Sequence, residues 1–401
     1  MKSYKKLLIL CAFVYFMSYV TRINYAAALT EIINDLNVTK QIASIAVTGS
    51  FITYGLGQVL SGVIGDKFKP NTVILIGLVG TTLVNLSMVF IPSIAVINTV
   101  WCINGFFQAL MWPPLVRIIT EHIPEEKYTF SVVLVSQFAY IATMVMYAVV
   151  PLIITFASWR YVFLFSATCS GIYAIVWYLS TRKLTFGKKV SKSSNVDIPK
   201  ISFKFLLSVG FIPIFVAIVF QGMLRDGVST WMPTYIAEVF KLGSSVSILT
   251  GVIIPVFNIF GIMVLNKIGD KIDHELKTST LFYAVAFGFS LLMSLFFSKF
   301  AAFDVVSMAV INTCAHGINL MLIGDVPRHF ARYGKVSTVS GLLNCATYVG
   351  AALSTYAFAF ISDKYGWNMT ILFWSAISLI GLVICVSTIK TWTNFRNRRG
   401  E

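Results

Sequence analysis

Two arginines lie inside long apolar runs. Arg22 sits in YVTRINYAAAL and Arg225 in LRDGVSTWMPTYI. A charge held in bilayer hydrocarbon costs about 3 kcal/mol on insertion scales, so a cation kept there is a functional candidate. A guanidinium offers a planar fork of N–H donors, suited to the oxygens of a phosphate or a carboxylate. At helical spacing Tyr15, Ser18, Tyr19, Arg22 and Tyr25 share one side, as do Gln221, Arg225 and Ser229. Further polar rows are Tyr54, Gln58 and Ser61; Asn104, Gln108 and Trp112; Tyr140, Thr143 and Tyr147; Asn312, His316 and Asn319; and Asn344, Tyr348 and Thr355. The candidate substrate-binding set drawn from these is Arg22, Arg225, Tyr15, Tyr19, Gln58, Gln108, Trp112, Tyr140, Gln221, His316, Asn344 and Tyr348. For any single Asn, Gln or Tyr the competing role is an interhelical hydrogen bond. Asp226 adjoins Arg225, but successive helical positions point roughly 100° apart, so a net positive site is expected to survive it.

The elements that must position these residues are membrane helices. The chain is 57% hydrophobic and 12% charged, with 33 Phe and 8 Trp. About twelve runs of roughly 20 apolar residues fit along it without overlap. They begin near residues 6, 40, 70, 94, 128 and 159, and again near 205, 244, 278, 301, 335 and 367. The expected organisation is a six-helix half over 1–181, a basic cytoplasmic linker over 182–204 and a second six-helix half over 205–401. The net charge of +15 is a topology signal and not a nucleic-acid site. With the amino terminus inside, 24 Lys and Arg lie on the cytoplasmic side and five on the other. That bias puts both termini in the cytoplasm.

The six cysteines lie within apolar runs and act as small core residues. The amino terminus imitates a secretory signal, but Arg22 and Asn24 interrupt the approach to Ala26–Ala28, so the first span is expected to be retained. No nucleophile–base pair and no metal-ligand cluster stands out, so neither catalysis nor a metal or cofactor is expected.

The halves are related. SGVIGDKF at 61–68 recurs as LNKIGDKI at 265–272, an offset of 204. Arg22 maps onto Arg225 at 203 and Trp159 onto Trp367 at 208. Each arginine is expected about two-thirds of the way through its span. Parallel repeats about an axis along the membrane normal are the plan of the major facilitator fold, with the substrate near midplane. In the recurring turn, Asp66, Lys67, Asp270 and Lys271 are candidate gating residues, their ion pairs breaking when the cytoplasmic side opens.

The chain resembles the organophosphate:phosphate antiporter family over nearly its whole length. The likeness rests on YVTRINYAAAL, on NGFFQALMWPP at 104–114, on LRDGVSTWMPTYI and on MLIG at 321–324. It implies exchange of a phosphate ester, such as glycerol 3-phosphate or a hexose 6-phosphate, for inorganic phosphate. It also implies that Arg22 and Arg225 bind the phosphoryl group. The glycerol-phosphate members carry a lysine, a histidine and a glutamate where Gln58, Phe138 and Pro255 align, so the organic moiety is left open. The RIN of the first span also resembles the anion:cation symporters that carry sugar acids. Asp226, Asp304 and His316 are the proton sites such a symporter would use, and a membrane sensor of sugar phosphate is a further alternative. The expected setting is a plasma or inner membrane, with a monomer working among lipids.

Overall fold

The computed structural model describes residues 2–183, 205, 208–333 and 336–397. Among these every regular element is helical. The helices are α1 (Lys2–Leu36), α2 (Lys40–Lys67), α3 (Pro70–Met88), α4 (Ile94–Ala109), α5 (Trp112–His122), α6 (Glu125–Phe156) and α7 (Arg160–Thr181). They continue as α8 (Phe211–Phe240), α9 (Ser244–Thr250), α10 (Ile253–Ile272), α11 (Glu275–Leu295), α12 (Ala301–Asn319), α13 (Val336–Tyr365) and α14 (Trp367–Asn397). Among the described residues eleven stretches are long and apolar enough to cross a membrane, and α2, of 28 residues, lies between the first and second of them.

Helix starts fall close to the sequence expectation. One difference lies at α8, whose regular turns begin at Phe211 and not near 205. Gly210 adopts φ +78°, a left-handed conformation that ends one helical run before the next begins. Among the described residues three spans are interrupted, one of them, the eighth, at Gly251 and Val252 between α9 and α10. The fourth breaks at Leu110 and Met111, with Pro113 and Pro114 in the first turn of α5. The tenth passes from α12 into a π-helical Leu320–Asp325 and a 3-10 Val326–Tyr333. The interruptions of the fourth and tenth spans coincide with the motifs NGFFQALMWPP and MLIG.

The described residues form two units, 2–183 with Lys241–Pro255, and 205–240 with 256–397. In the first, α9 lies on α6, where Ser245 Oγ and Thr155 Oγ1 are 2.9 Å apart. Of the linker, all beyond Lys183 lies outside the described residues.

Each unit turns its apolar side chains outward. Phe156, Leu83, Ile172 and Ile175 are 87%, 60%, 60% and 62% exposed, while Asn24, Asn85, Ser166 and Thr81 are fully buried. Polar groups inside and apolar groups outside suit a lipid solvent.

A shared device closes one end of each unit. The Trp159 indole donates to Asp35 at 2.9 Å, and the Trp367 indole to Glu238 at 2.7 Å. Each bond ties the end of the unit's first helix to the start of its last. Asp35 and Glu238 are 203 positions apart, the same offset as the arginines. Asp35→Ala or Glu238→Ala should each cost about 1 kcal/mol and lower the thermal midpoint in detergent by about 2–4 °C. An unchanged midpoint in both variants would show that these bonds contribute no stability.

Candidate functional site

In the first unit Arg22 lies against aromatic faces. Its guanidinium carbon is 4.5 Å from the Tyr54 ring centroid, 5.5 Å from Phe51 and 5.7 Å from Tyr19. Such faces stabilise a cation by about 1–2 kcal/mol as it leaves water, and they carry no net charge. Tyr15 extends the group, 5.2 Å from Tyr19 and 4.6 Å from Trp112 between centroids. The sequence-predicted Tyr15, Tyr19, Arg22 and Trp112 therefore form one cluster. Phe51 was missed, although it stands one helical turn before Tyr54 on α2.

Gln108 has a different place. It is buried, its Oε1 accepting from Ser18 Oγ at 2.6 Å and its Nε2 donating to Thr21 Oγ1 at 2.8 Å. Asn104 donates to the Thr21 carbonyl at 3.0 Å, and Asn24 donates to Asn85 Oδ1 at 2.6 Å and to Ser166 Oγ at 3.1 Å. This network fixes the turn of α1 that carries Arg22 by bonds from α3, α4 and α7. Gln58 sits one turn beyond Tyr54, and its buried Nε2 has no hydrogen-bond partner among the described residues. Tyr140 is half-buried on α6.

The second unit repeats the support with other residues. Asn312, 208 positions after Asn104, donates to the Arg225 carbonyl at 2.6 Å. Asn312 in turn accepts from Asn258 at 3.0 Å. Gln221 is fully buried and donates to the Ala315 carbonyl at 3.0 Å, a bond between helices. The Tyr348 ring centroid is 5.9 Å from the Arg225 guanidinium carbon. His316 is half-buried near the end of α12. Asn344 is half-buried on α13, one turn before Tyr348.

Depth is matched between the arginines. Arg22 is 14 residues from Leu36 at the end of α1, and Arg225 is 15 from Phe240 at the end of α8. The expected two-thirds fraction is replaced by this distance from the helix end, because α1 starts earlier and α8 later than the hydropathy suggested.

The angular part of the expectation for Asp226 is corrected, while a single carboxylate still does not balance two arginines. Arg225 Nη2 donates to Asp226 Oδ2 at 2.6 Å and Nε to Oδ1 at 3.2 Å, a two-point ion pair between adjacent residues. The side chains are 13% and 18% exposed. The angular argument failed because the arginine side chain is long enough to fold back around the helix surface to its neighbour.

Of the gating candidates, Asp270 and Lys271 are exposed at the end of α10. A Cβ on the adjacent Gly269 would stand 2.9 Å from the end of the Met321 side chain, so the glycine does allow close approach there. The side chains of Asp66 and Lys67 lie outside the described residues.

An all-helical membrane protein in two units, each with a cation deep in its first span, is built as a solute carrier and not as an enzyme. The chain belongs to the Major Facilitator Superfamily, whose family model matches residues 11–355. It is 24% identical to the glycerol-3-phosphate transporter of Bacillus subtilis (strain 168), over 93% of this chain and 89% of that protein. It is 22% identical to a probable hexose phosphate transport protein of Chlamydia muridarum (strain MoPn / Nigg), over 95% of this chain and 89% of that one. Among solved structures, a bacterial homolog of the human lysosomal transporter Spinster matches with TM-score 0.81 at 13% identity, covering 100% of both chains. These relatives agree with the resemblance to the organophosphate:phosphate antiporters.

Proposed function

We propose that this transporter carries a phosphate ester in exchange for inorganic phosphate, by alternating access, in a plasma or inner membrane with both termini cytoplasmic. Arg22, with the aromatic rings of Tyr19, Phe51 and Tyr54 beside it, and Arg225, with Tyr348 beside it, are the phosphoryl-binding residues of their respective units. One observation carries the reading: each unit holds an arginine in its first span, 14 and 15 residues from the helix end, on a chain related along most of its length to two phosphate-ester carriers. The buried Gln58 amide, without a partner among the described residues, adds a donor one turn from Tyr54. Neutralising a guanidinium lowers the cost of enclosing it, so the loaded carrier changes state more readily than the empty one.

Reconstituted vesicles preloaded with unlabelled phosphate should take up labelled phosphate, with glycerol 3-phosphate or a hexose 6-phosphate competing. An absence of counterflow, with hexuronate uptake in its place, would sink the proposal.

A second reading, proton-coupled carriage of a sugar acid, draws on Asp304. It is fully buried, it accepts from the Tyr235 hydroxyl, and its Oδ1 has no partner among the described residues. Uptake driven by an inward proton gradient, without internal phosphate, would select this reading.

A further inference from the structure

We infer that Asp226 is a built-in competitor for Arg225, an internal carboxylate that the carried anion must displace, and that it sets a threshold of affinity which a phosphoryl dianion clears and a monocarboxylate does not. The inference rests on the proposed role of Arg225 in binding the anion. Its own observation is the two-point pair from Nη2 and Nε to the two carboxylate oxygens, at 2.6 and 3.2 Å.

Two carboxylate oxygens on a guanidinium fork copy the way that fork grips a phosphate edge. Because Asp226 is the next residue in the chain, it meets Arg225 at a high effective concentration that a free solute must overcome. Both side chains are mostly removed from water, where an unpaired charge is costly, so the fork is exchanged between anions and not left bare. Asn312 holds the Arg225 carbonyl at 2.6 Å, so the exchange is made by the side chain while its backbone stays in place.

Selectivity follows from charge. An incoming monocarboxylate offers Arg225 what Asp226 already supplies and frees a carboxylate that must be resolvated, so the exchange gains little. A phosphoryl dianion brings about two charges and three acceptor oxygens to the same fork. Asp226 thus sets a threshold that a singly charged acid does not clear. It acts through Arg225 and need not touch the cargo.

The test follows thermal stabilisation of the purified, detergent-solubilised protein by inorganic phosphate and by gluconate, a monocarboxylate. Asp226→Asn should bind phosphate about tenfold more tightly than the unmodified chain, consistent with loss of one charge-assisted competitor. Its gain for gluconate should be a similar factor, because a competitor on the fork lowers the affinity of every rival alike, so that stabilisation by gluconate becomes detectable only in the neutral variants. Asp226→Glu keeps the competing charge and should retain the original affinities. Asp226→Ser removes the charge without an amide and gives a second measure should the asparagine variant fold poorly. A merely structural aspartate would weaken binding of both anions when replaced. Weaker or equal phosphate binding in the neutral variants, with phosphate still stabilising the unmodified protein, overturns the inference and leaves the proposed function standing. No stabilisation by phosphate of any form overturns both.

Discussion

Lysine in place of Arg22 or Arg225 is expected to reduce phosphate counterflow markedly at concentrations that saturate the unmodified carrier. The substitution keeps the positive charge, so a site needing only a cation would be little affected. It removes the planar fork, and with it at least one charge-assisted hydrogen bond worth about 1.5–3 kcal/mol. The half-saturation concentration should rise about tenfold to a hundredfold for each arginine. Arg22→Lys should leave the thermal midpoint nearly unchanged, because an ammonium can also rest against Tyr54 and Phe51. Arg225→Lys retains a charge for Asp226, at a single contact. Transport at the original half-saturation in both variants would rule out two-point phosphoryl binding and with it the proposed cargo.

A comparable loss, of folding and not of binding, is expected from one methyl group in the second unit. On Gly350 a Cβ would stand 2.0 Å from the Val219 carbonyl oxygen, and on Gly222 it would stand 2.2 Å from that of Thr347. The obstructing atoms belong to backbone, which cannot rotate aside, and the two glycines lie on the facing helices α13 and α8. Gly222→Ala or Gly350→Ala must therefore part the helices, at about 3 kcal/mol or more, and lower the thermal midpoint by about 6–12 °C. Gly288→Ala on α11 is the control, since nothing lies within 4 Å of its added Cβ. Equal midpoints for the three variants would mean that α8 and α13 are not in backbone contact. A comparably close contact in the first unit, Gly105 on α4 against the Ser50 carbonyl on α2 at 2.2 Å, should behave alike.

Much of the fold was legible because membrane helices announce themselves by length and apolarity. The starts of α2, α3, α4, α9, α12 and α14 were read from hydropathy and turn residues alone. The break after Ala109 was signalled by Pro113 and Pro114 but not read, since a span-length apolar run masks a local interruption. The π-helical Leu320–Asp325 carries no proline or glycine pair at its start, so no rule of spacing announces it. At the site, the arginines stood out as isolated charges. Gln108 and Gln221 did not separate from the cargo-facing candidates, because a polar residue that bonds to a neighbouring helix has the same spacing as one that lines a binding face. Asp226 was misjudged for a different reason: side-chain reach is set by rotamers, which position on a helical wheel does not contain. The indole bonds of Trp159 and Trp367 were half legible. Both tryptophans were noticed as repeats, while Asp35 and Glu238, at the arginines' own offset, were not joined to them.

The interruption between α4 and α5 bears on how this protein can change its cargo over time. A helix beginning inside a membrane ordinarily exposes free amide N–H groups, a ready grip for anions. Here Pro113 and Pro114 have no N–H to give, and the amide of Leu115 is spent on the Met111 carbonyl at 3.2 Å. The main chain has little to offer a solute at that point, and recognition in the first unit passes to side chains. A grip made of peptide bonds is invariant under point mutation. One made of Arg22 and its rings can be rewritten a codon at a time, so a lineage of such carriers can move between solutes without rebuilding a helix.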